Sequence, residues 1–162
     1  MSGGRTARRI AWRVAPVTRG RAAMCRAVLE ALPRWFAIPE AREDYIAAAG
    51  RLPMLACSDA GGPAGFVSLK RHAPETWELY VLGVMPALHR RGAGRALVEA
   101  AAAHARARGG RLLTVKTLAP AAHSRPYDRT RRFYRALGFF PVESFPTLWG
   151  PDNPCLLMAK RL

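Results

Sequence analysis

One stretch of the chain decides the fold, and it reads Val84-Met-Pro86-Ala-Leu-His89-Arg90-Arg91-Gly92-Ala93-Gly94-Arg95-Ala96-Leu97. The apolar run from Trp77 to Met85 predicts a strand, which Pro86 ends. A short glycine loop follows, and a helix rich in alanine, leucine and valine begins directly after it. Such a loop directs backbone N–H groups towards one point at the helix N-terminus, which suits a phosphate or pyrophosphate. The arginines at positions 90, 91 and 95 add positive charge at the same place.

Two common phosphate-binding motifs are absent from this stretch. The dinucleotide fingerprint needs three glycines, and the P-loop needs a Gly-Lys-Ser/Thr ending. The pair Gly92 and Gly94 would be weak evidence alone, because glycine pairs occur in many ordinary turns. Its place between a strand and a helix is what predicts a phosphorylated cofactor held by the main chain.

In its whole setting the stretch resembles motif A of the GNAT N-acetyltransferase superfamily, which reads Gln/Arg-x-x-Gly-x-Gly/Ala after a strand ending in Val-x-Pro. The resemblance implies that the loop binds the pyrophosphate of acetyl-coenzyme A (acetyl-CoA). His89 stands where Gln or Arg is usual, and we expect this change to alter affinity without abolishing binding. The cofactor-binding positions implied are Leu82, Gly83, Val84, Met85, His89, Arg90, Arg91, Gly92, Ala93, Gly94, Arg95 and Ala96.

A second stretch, Tyr127-Asp-Arg-Thr130-Arg-Arg-Phe133-Tyr134-Arg-Ala-Leu137-Gly138-Phe139, resembles motif B of the same family, Asn-x-x-Ala-x-x-x-Tyr-x-x-x-Gly-Phe. Tyr127 replaces the Asn and Thr130 the Ala. The resemblance implies that Tyr127 and Tyr134 lie at the cofactor, with Tyr134 beside its sulfur. A phenol with a pKa near 10 can donate a hydrogen bond or a proton to a leaving thiolate, whose thiol has a pKa of about 8.5. The alternative is that Tyr134 only packs with Phe133 against the sheet.

Glu78 is the candidate general base, because an attacking amine must lose a proton and the chain has only 11 acidic residues. It lies 11 positions before His89, a spacing that resembles the histone-acetylating branch of the family. The alternatives are an exposed glutamate near the start of a strand, with water as the base, or the weaker candidate Glu143.

Gly83 inside the same strand indicates a bulge or a close approach of the backbone. The resemblance implies that the sheet splits here and that an N–H of Leu82, Gly83 or Val84 polarises the thioester carbonyl.

The sequence indicates the acceptor substrate less clearly than the cofactor. Helical spacing places the acidic residues Glu40, Glu43 and Asp44 on one face, which either lines a pocket for a cationic amine or is solvated. Four aromatic residues are either walls of that pocket or parts of the core: Trp35, Phe36, Tyr45 and Trp149. The segment 145–158 resembles the tail of a bacterial subset of the family whose acceptor the sequence does not identify.

Periodicity and turn signals predict strands at 10–14, 54–58, 64–69, 77–85, 111–118, 140–145 and 155–160 and helices at 19–32, from 39, at 92–108 and at 128–137. The order β-α-α-β-β-β-α-β-α-β-β mixes hairpins with βα units. It predicts an α/β (α+β) fold with a mixed, mostly antiparallel sheet flanked by helices. The resemblance implies the same order, with the sheet splayed at the central strand.

The bulk composition predicts one domain over residues 10–162 after a disordered segment at 1–9. The net charge of +15 comes mainly from arginines spread along the whole chain, so we expect no specific nucleic-acid partner.

No stretch has the length of a membrane-spanning helix. The cysteines (Cys25, Cys57, Cys155) and the histidines (His72, His89, His104, His123) are scattered, so we expect no metal site, no disulfide and a cytoplasmic location. A homodimer is compatible with the sequence.

These features lead to one functional hypothesis: an acetyl-CoA-dependent N-acetyltransferase acting on a primary amine of a small molecule or peptide by direct attack. Two alternatives stay open at this point. One is a non-catalytic acyl-CoA-binding regulatory module, and the other is a small basic protein associated with nucleic acid.

Overall fold

The computed structural model describes residues 11–162 of the chain. Residues 1–10 lie outside the described part, and with them the expected disordered segment and the first residue of the predicted first strand. Within residues 11–162 the elements follow in the predicted order: β1 (Arg13–Pro16), α1 (Arg21–Glu30), α2 (Pro39–Ala49), β2 (Met54–Asp59), β3 (Gly62–Ala73), β4 (Thr76–Val84), α3 (Ala93–Arg106), β5 (Leu112–Leu118), α4 (Arg125–Ala136), β6 (Phe140–Phe145) and β7 (Cys155–Arg161).

Several predicted bounds were wrong, each for a local reason. Helix α1 begins at Arg21 because Gly20, in the left-handed conformation with φ 67°, forms its N-cap. Helix α4 begins at Arg125, three residues before the predicted start, with Pro126 in its first turn. Strand β3 continues to Ala73 because it pairs with β4 along the whole hairpin.

The strands form one open, mostly antiparallel sheet, which confirms the predicted fold class. Their order is β1-β2-β3-β4-β5-β7-β6, and each neighbouring pair is antiparallel except β4 with β5. Among the described residues, no helix combines the length and the apolar character needed to cross a membrane.

Helices cover both faces of the sheet, so the core has two parts. The first cluster lies under α3 and α4 and includes Leu97, Val98 and Phe139. The second lies under α1 and α2 and includes Leu29, Ile46 and Phe66. Four buried alanines of α3 let that helix lie close to the sheet: Ala93, Ala101, Ala102 and Ala105.

Gly83 of β4 is glycine because α1 lies directly above it. A Cβ at this position would come within 2.7 Å of Val28 Cγ1 and 3.3 Å of Leu32 Cδ1. Packing against α1 therefore explains why residue 83 has no side chain, whereas binding of a cofactor by its main chain stays a prediction.

We expect Gly83→Ala to lower the free energy of unfolding by about 1–2 kcal/mol, because the added methyl group overpacks the contact with α1. Gly50→Ala is the matched control. Gly50 has ordinary helical angles (φ −61°, ψ −25°) and a built Cβ there makes only normal contacts, so alanine should raise stability by up to about 1 kcal/mol. Urea unfolding with an unchanged m-value measures both. If the Gly83→Ala protein were as stable as the parent, α1 would not lie in this close contact.

Candidate active site

The sheet opens in its middle, between β4 and β5. The two parallel strands pair over only four residues each, and Leu79 with Val115 is the last pair. Beyond it β5 continues to pair with β7, up to Leu118, and β4 with β3, up to Val84. The main chain of residues 80–84 therefore faces β5 across a gap, with no strand partner on that side.

A β-bulge at Tyr80 accompanies this opening. Leu79 pairs with Leu69 and Val81 with Ser68, so Tyr80 is an extra residue on β4. Tyr80 and Val81 consequently both face the second core cluster, whereas Leu82 faces the first. An extra residue bends a strand and increases its twist. The splay predicted at the central strand is thus present, and it begins at Tyr80 rather than at Gly83.

The loop after β4 leads to an uncapped helix N-terminus. Arg90 and Gly92 adopt left-handed conformations, with φ 60° and 89°, and Gly92 is the N-cap of α3. No side chain of the described residues caps this helix, so its first N–H groups stay available for an anion. Gly94 is required because a Cβ there would lie 3.0 Å from Phe133 Cζ, at the close approach of α3 and α4.

Trp12 supports this loop from the first strand segment. Its indole Nε1–H donates a hydrogen bond to the main-chain oxygen of Arg91 at 2.8 Å. Fixing that carbonyl also fixes the N–H of Gly92 on the other side of the same planar peptide. The sequence indicated Trp12 only as a strand residue, because the contact joins positions 79 residues apart.

All three departures from the family motifs contact one residue, Trp35, in the connection between α1 and α2. The Trp35 indole donates to Thr130 Oγ1 at 3.1 Å, and the Tyr127 hydroxyl donates to the Trp35 carbonyl at 2.7 Å. The His89 ring lies edge-on to the indole, with the ring centres 5.6 Å apart. His89 Nε2 also donates to the Val84 carbonyl at 2.7 Å. These side chains tie the α1–α2 connection to both motifs.

Tyr134 is deeply buried on α4, with 6 % of its surface exposed. Its ring packs on Phe133 and Phe139, at centroid distances of 5.2 and 5.5 Å. Burial raises the pKa of Tyr134 well above the ordinary phenol value, and the nearby hydroxyls of Tyr127 and Tyr45 add to this. The phenol therefore stays protonated at neutral pH. Burial likewise raises the pKa of Tyr127 to about 12.

Arg131 anchors α4 at the open end of β5, a role that was not predicted from the sequence. Its buried guanidinium donates to the Leu118 carbonyl and to the Asp128 carboxylate. The only sequence signal is the i, i+3 spacing of Asp128 and Arg131 on one helix.

Glu78 is buried at the start of the opening, so the alternative of an exposed glutamate was wrong. Its side chain is 4 % exposed. Oε1 accepts a hydrogen bond from Lys116 Nζ at 2.8 Å, and Oε2 lies 2.5 Å from His72 Nε2. The sequence did not indicate His72 or Lys116; the one available signal is a lysine within the otherwise uncharged strand β5. Glu143 lies exposed on the edge strand β6.

The acidic residues of α2 lie on the protein surface. Both oxygens of Glu43 accept hydrogen bonds from Arg26 of α1 at 2.7 Å, so Glu43 joins α1 to α2. Glu40 and Asp44 are exposed.

Phe36 and Tyr45 pack at the edge of the second cluster, and the rings of Tyr45 and Tyr80 are in contact, with their centres 5.6 Å apart. Trp35, Phe36 and Tyr45 therefore pack against the second cluster, whereas Trp149 is half-buried in the loop between β6 and β7 and belongs to neither cluster.

Several solved structures share this fold over nearly their whole length. A GNAT-family protein from Desulfovibrio desulfuricans has a TM-score of 0.77 and 23% identity, covering 94% of this chain and 98% of its own. An acetyltransferase from Elizabethkingia anophelis with acetyl-CoA bound has a TM-score of 0.72 and 15% identity (93% and 98% covered). The ribosomal-protein-S18-alanine N-acetyltransferase from Escherichia coli has a TM-score of 0.71 and 20% identity (93% and 94% covered). No curated protein sequence matches this chain.

The sequence itself matches the model of the acetyltransferase (GNAT) family over residues 21–139. This range contains the open strand pair, the uncapped start of α3 and the buried Tyr134. Among the structural neighbours, an aminoglycoside 6'-N-acetyltransferase was solved with coenzyme A and the Elizabethkingia anophelis acetyltransferase with acetyl-CoA. The chain belongs to the GNAT acetyltransferase family.

Proposed function

We propose that this protein transfers the acetyl group of acetyl-CoA to a primary amine of a small molecule or peptide by direct attack. The observation that carries the proposal is the gap between β4 and β5, which ends at the uncapped N-terminus of α3. An extended ligand with amide groups can pair with the free main chain of residues 80–84, as an added strand would. Its diphosphate would reach the loop at 90–96.

The loop fits a diphosphate in conformation and in charge. Two left-handed residues, Arg90 and Gly92, turn successive N–H groups towards one side, and such backbone nests bind anions. Arg90, Arg91 and Arg95 are exposed beside them. Within residues 11–162, Arg95 pairs with the carboxylate of Glu99 at 3.6 Å, and water strongly screens this exposed pair.

In the proposed reaction the amine nitrogen attacks the acetyl carbonyl carbon, and the bond from that carbon to sulfur breaks. The N–H of Leu82, Gly83 or Val84 would stabilise the oxygen as it gains charge. Tyr134 would stabilise the departing thiolate. Because burial raises its pKa above that of a thiol, Tyr134 suits hydrogen-bond donation better than complete proton transfer. Glu78 or a water molecule would take up the proton of the amine.

The acceptor would enter on the face that carries Glu78, Tyr80 and Tyr45. The structural neighbours include the S18-alanine N-acetyltransferase and an aminoglycoside 6'-N-acetyltransferase, so this fold serves both peptide and small-molecule amines. The half-buried rings of Trp35, Phe36 and Tyr45 would border the acceptor. Its identity beyond a primary amine is left to experiment.

Acetyl-CoA at 100 times its Kd should stabilise the protein by about 2.7 kcal/mol, because it binds only the folded chain. Thermal unfolding with acetyl-CoA, NADH or an oligonucleotide measures this, and only acetyl-CoA should raise Tm strongly. Release of free thiol with a panel of amines, amino acids, polyamines and peptides then tests turnover. Stabilisation without thiol release would identify a non-catalytic binding module. Stabilisation by the oligonucleotide alone, lost at high salt, would identify a nucleic-acid-binding protein.

Tyr134→Phe should lower kcat about 10- to 150-fold, because a hydrogen bond to a charged group contributes roughly 1.5–3 kcal/mol. The ring contacts with Phe133 and Phe139 remain, so Tm and the Kd of acetyl-CoA should change little. Steady-state kinetics with thiol detection measure kcat. An unchanged kcat would leave Tyr134 with a packing role only.

Trp12→Phe should weaken acetyl-CoA binding about 2- to 10-fold, because it removes one hydrogen bond that holds the Arg91–Gly92 peptide. The kcat at saturating acetyl-CoA should stay close to that of the parent. Isothermal titration gives the Kd directly. A Kd equal to that of the parent would show that the loop keeps its shape without Trp12.

A further inference from the structure

The two oxygens of Glu78 are both engaged within the protein. Lys116 on β5 donates to Oε1, and His72 on β3 contacts Oε2. A carboxylate can only accept hydrogen bonds, so His72 carries its proton on Nε2. Glu78 is 4 % exposed, which also isolates it from bulk water. The carboxylate of Glu78 is therefore held by two donors from the neighbouring strands β3 and β5.

His72 is the member of this cluster that reaches solvent. Its side chain is 37 % exposed. Arg71 pairs with Trp77 and Ala73 with Thr76, so His72 is the extra residue of a second bulge. A bulge changes the direction in which the neighbouring side chains point. Arg71 lies over the Trp77 ring on one face of the hairpin, whereas His72 reaches Glu78 on the other.

Lys116 cannot replace His72 as the acceptor of a proton. An ammonium group has three donors and no lone pair, so it accepts no proton. It neutralises the charge of Glu78 instead, which a buried carboxylate requires. A proton taken up at Nδ1 of His72 leaves the carboxylate of Glu78 charged and both of its hydrogen bonds in place, whereas a proton on Glu78 would remove the charge that holds the two donors.

We propose that His72 carries the proton of the reaction, and that Glu78 is its positioning residue. The inference rests on the proposed acetyl transfer. The amine nitrogen bonds to the acetyl carbon, the bond from carbon to sulfur breaks, and the amine proton passes to Nδ1. Water carries this proton, because Leu82 lies roughly 13 Å along the strand from Glu78. Glu78 stabilises the imidazolium, which then returns the proton from Nδ1 to bulk water.

Two substitutions of one residue separate a proton carrier from a structural support. His72→Ala should lower kcat about 100-fold, with the KM for acetyl-CoA unchanged. His72→Gln can keep an N–H donor towards Glu78 but cannot carry a proton, so its kcat should fall equally. Imidazole in the buffer should restore turnover to His72→Ala, whose site is vacant, and not to His72→Gln. A His72→Gln enzyme with the parent kcat would overturn the proposal.

Glu75→Gln is the matched control, because it removes a carboxylate from the same hairpin at an exposed position that meets only Arg111, at 3.7 Å. Its kcat should equal that of the parent. An NMR measurement of the imidazole nitrogens tests the dyad without any turnover: neutral His72 should carry its proton on Nε2, and a proton on Nδ1 would overturn the proposal. Absence of thiol release by the parent enzyme with every amine would instead refute the acetyl-transfer function itself.

Discussion

The separation of β4 from β5 after Leu79 and Val115 is the constraint on which the rest of the site depends. A parallel pair that continued would satisfy its own main-chain groups and leave no place for an extended ligand. The extra residue at Tyr80 accompanies the change of direction, and Arg131 holds α4 above the open end of β5.

Trp35 shows how departures from a family pattern can depend on one another. Thr130 and Tyr127 each share a hydrogen bond with it, and the ring of His89 lies edge-on to it. A small alanine at position 130 would leave the indole N–H without this acceptor. A shorter asparagine at 127 would lack the reach of the phenol. The three positions therefore form one packing solution that connects the α1–α2 segment with both motifs.

Local patterns were sufficient for the order of the elements and for the glycine loop at the start of α3. Motif A is contiguous, so its strand, glycine loop and helix are all determined by neighbours in sequence. The first and last residues of the helices and strands were predicted less well than their order. The left-handed angle of Gly20 sets the start of the first helix, and β3 is lengthened by pairing with β4. Such effects depend on a partner strand or on a backbone conformation that periodicity does not reveal.

The sequence by itself determined the order of the elements, and with it the fold class, and it placed Gly92 and Gly94 in the loop before a helix, because these features depend on neighbours in sequence. Acetyl-CoA followed from the resemblance of the two motifs to the GNAT family. Only the tertiary structure decided that Glu78 is buried between Lys116 and His72, which lie 38 residues after and 6 before it. It also brought Trp12 to the loop across 79 residues. These contacts arise from strand register and bulges, and a shift of one residue reverses the face on which a side chain lies.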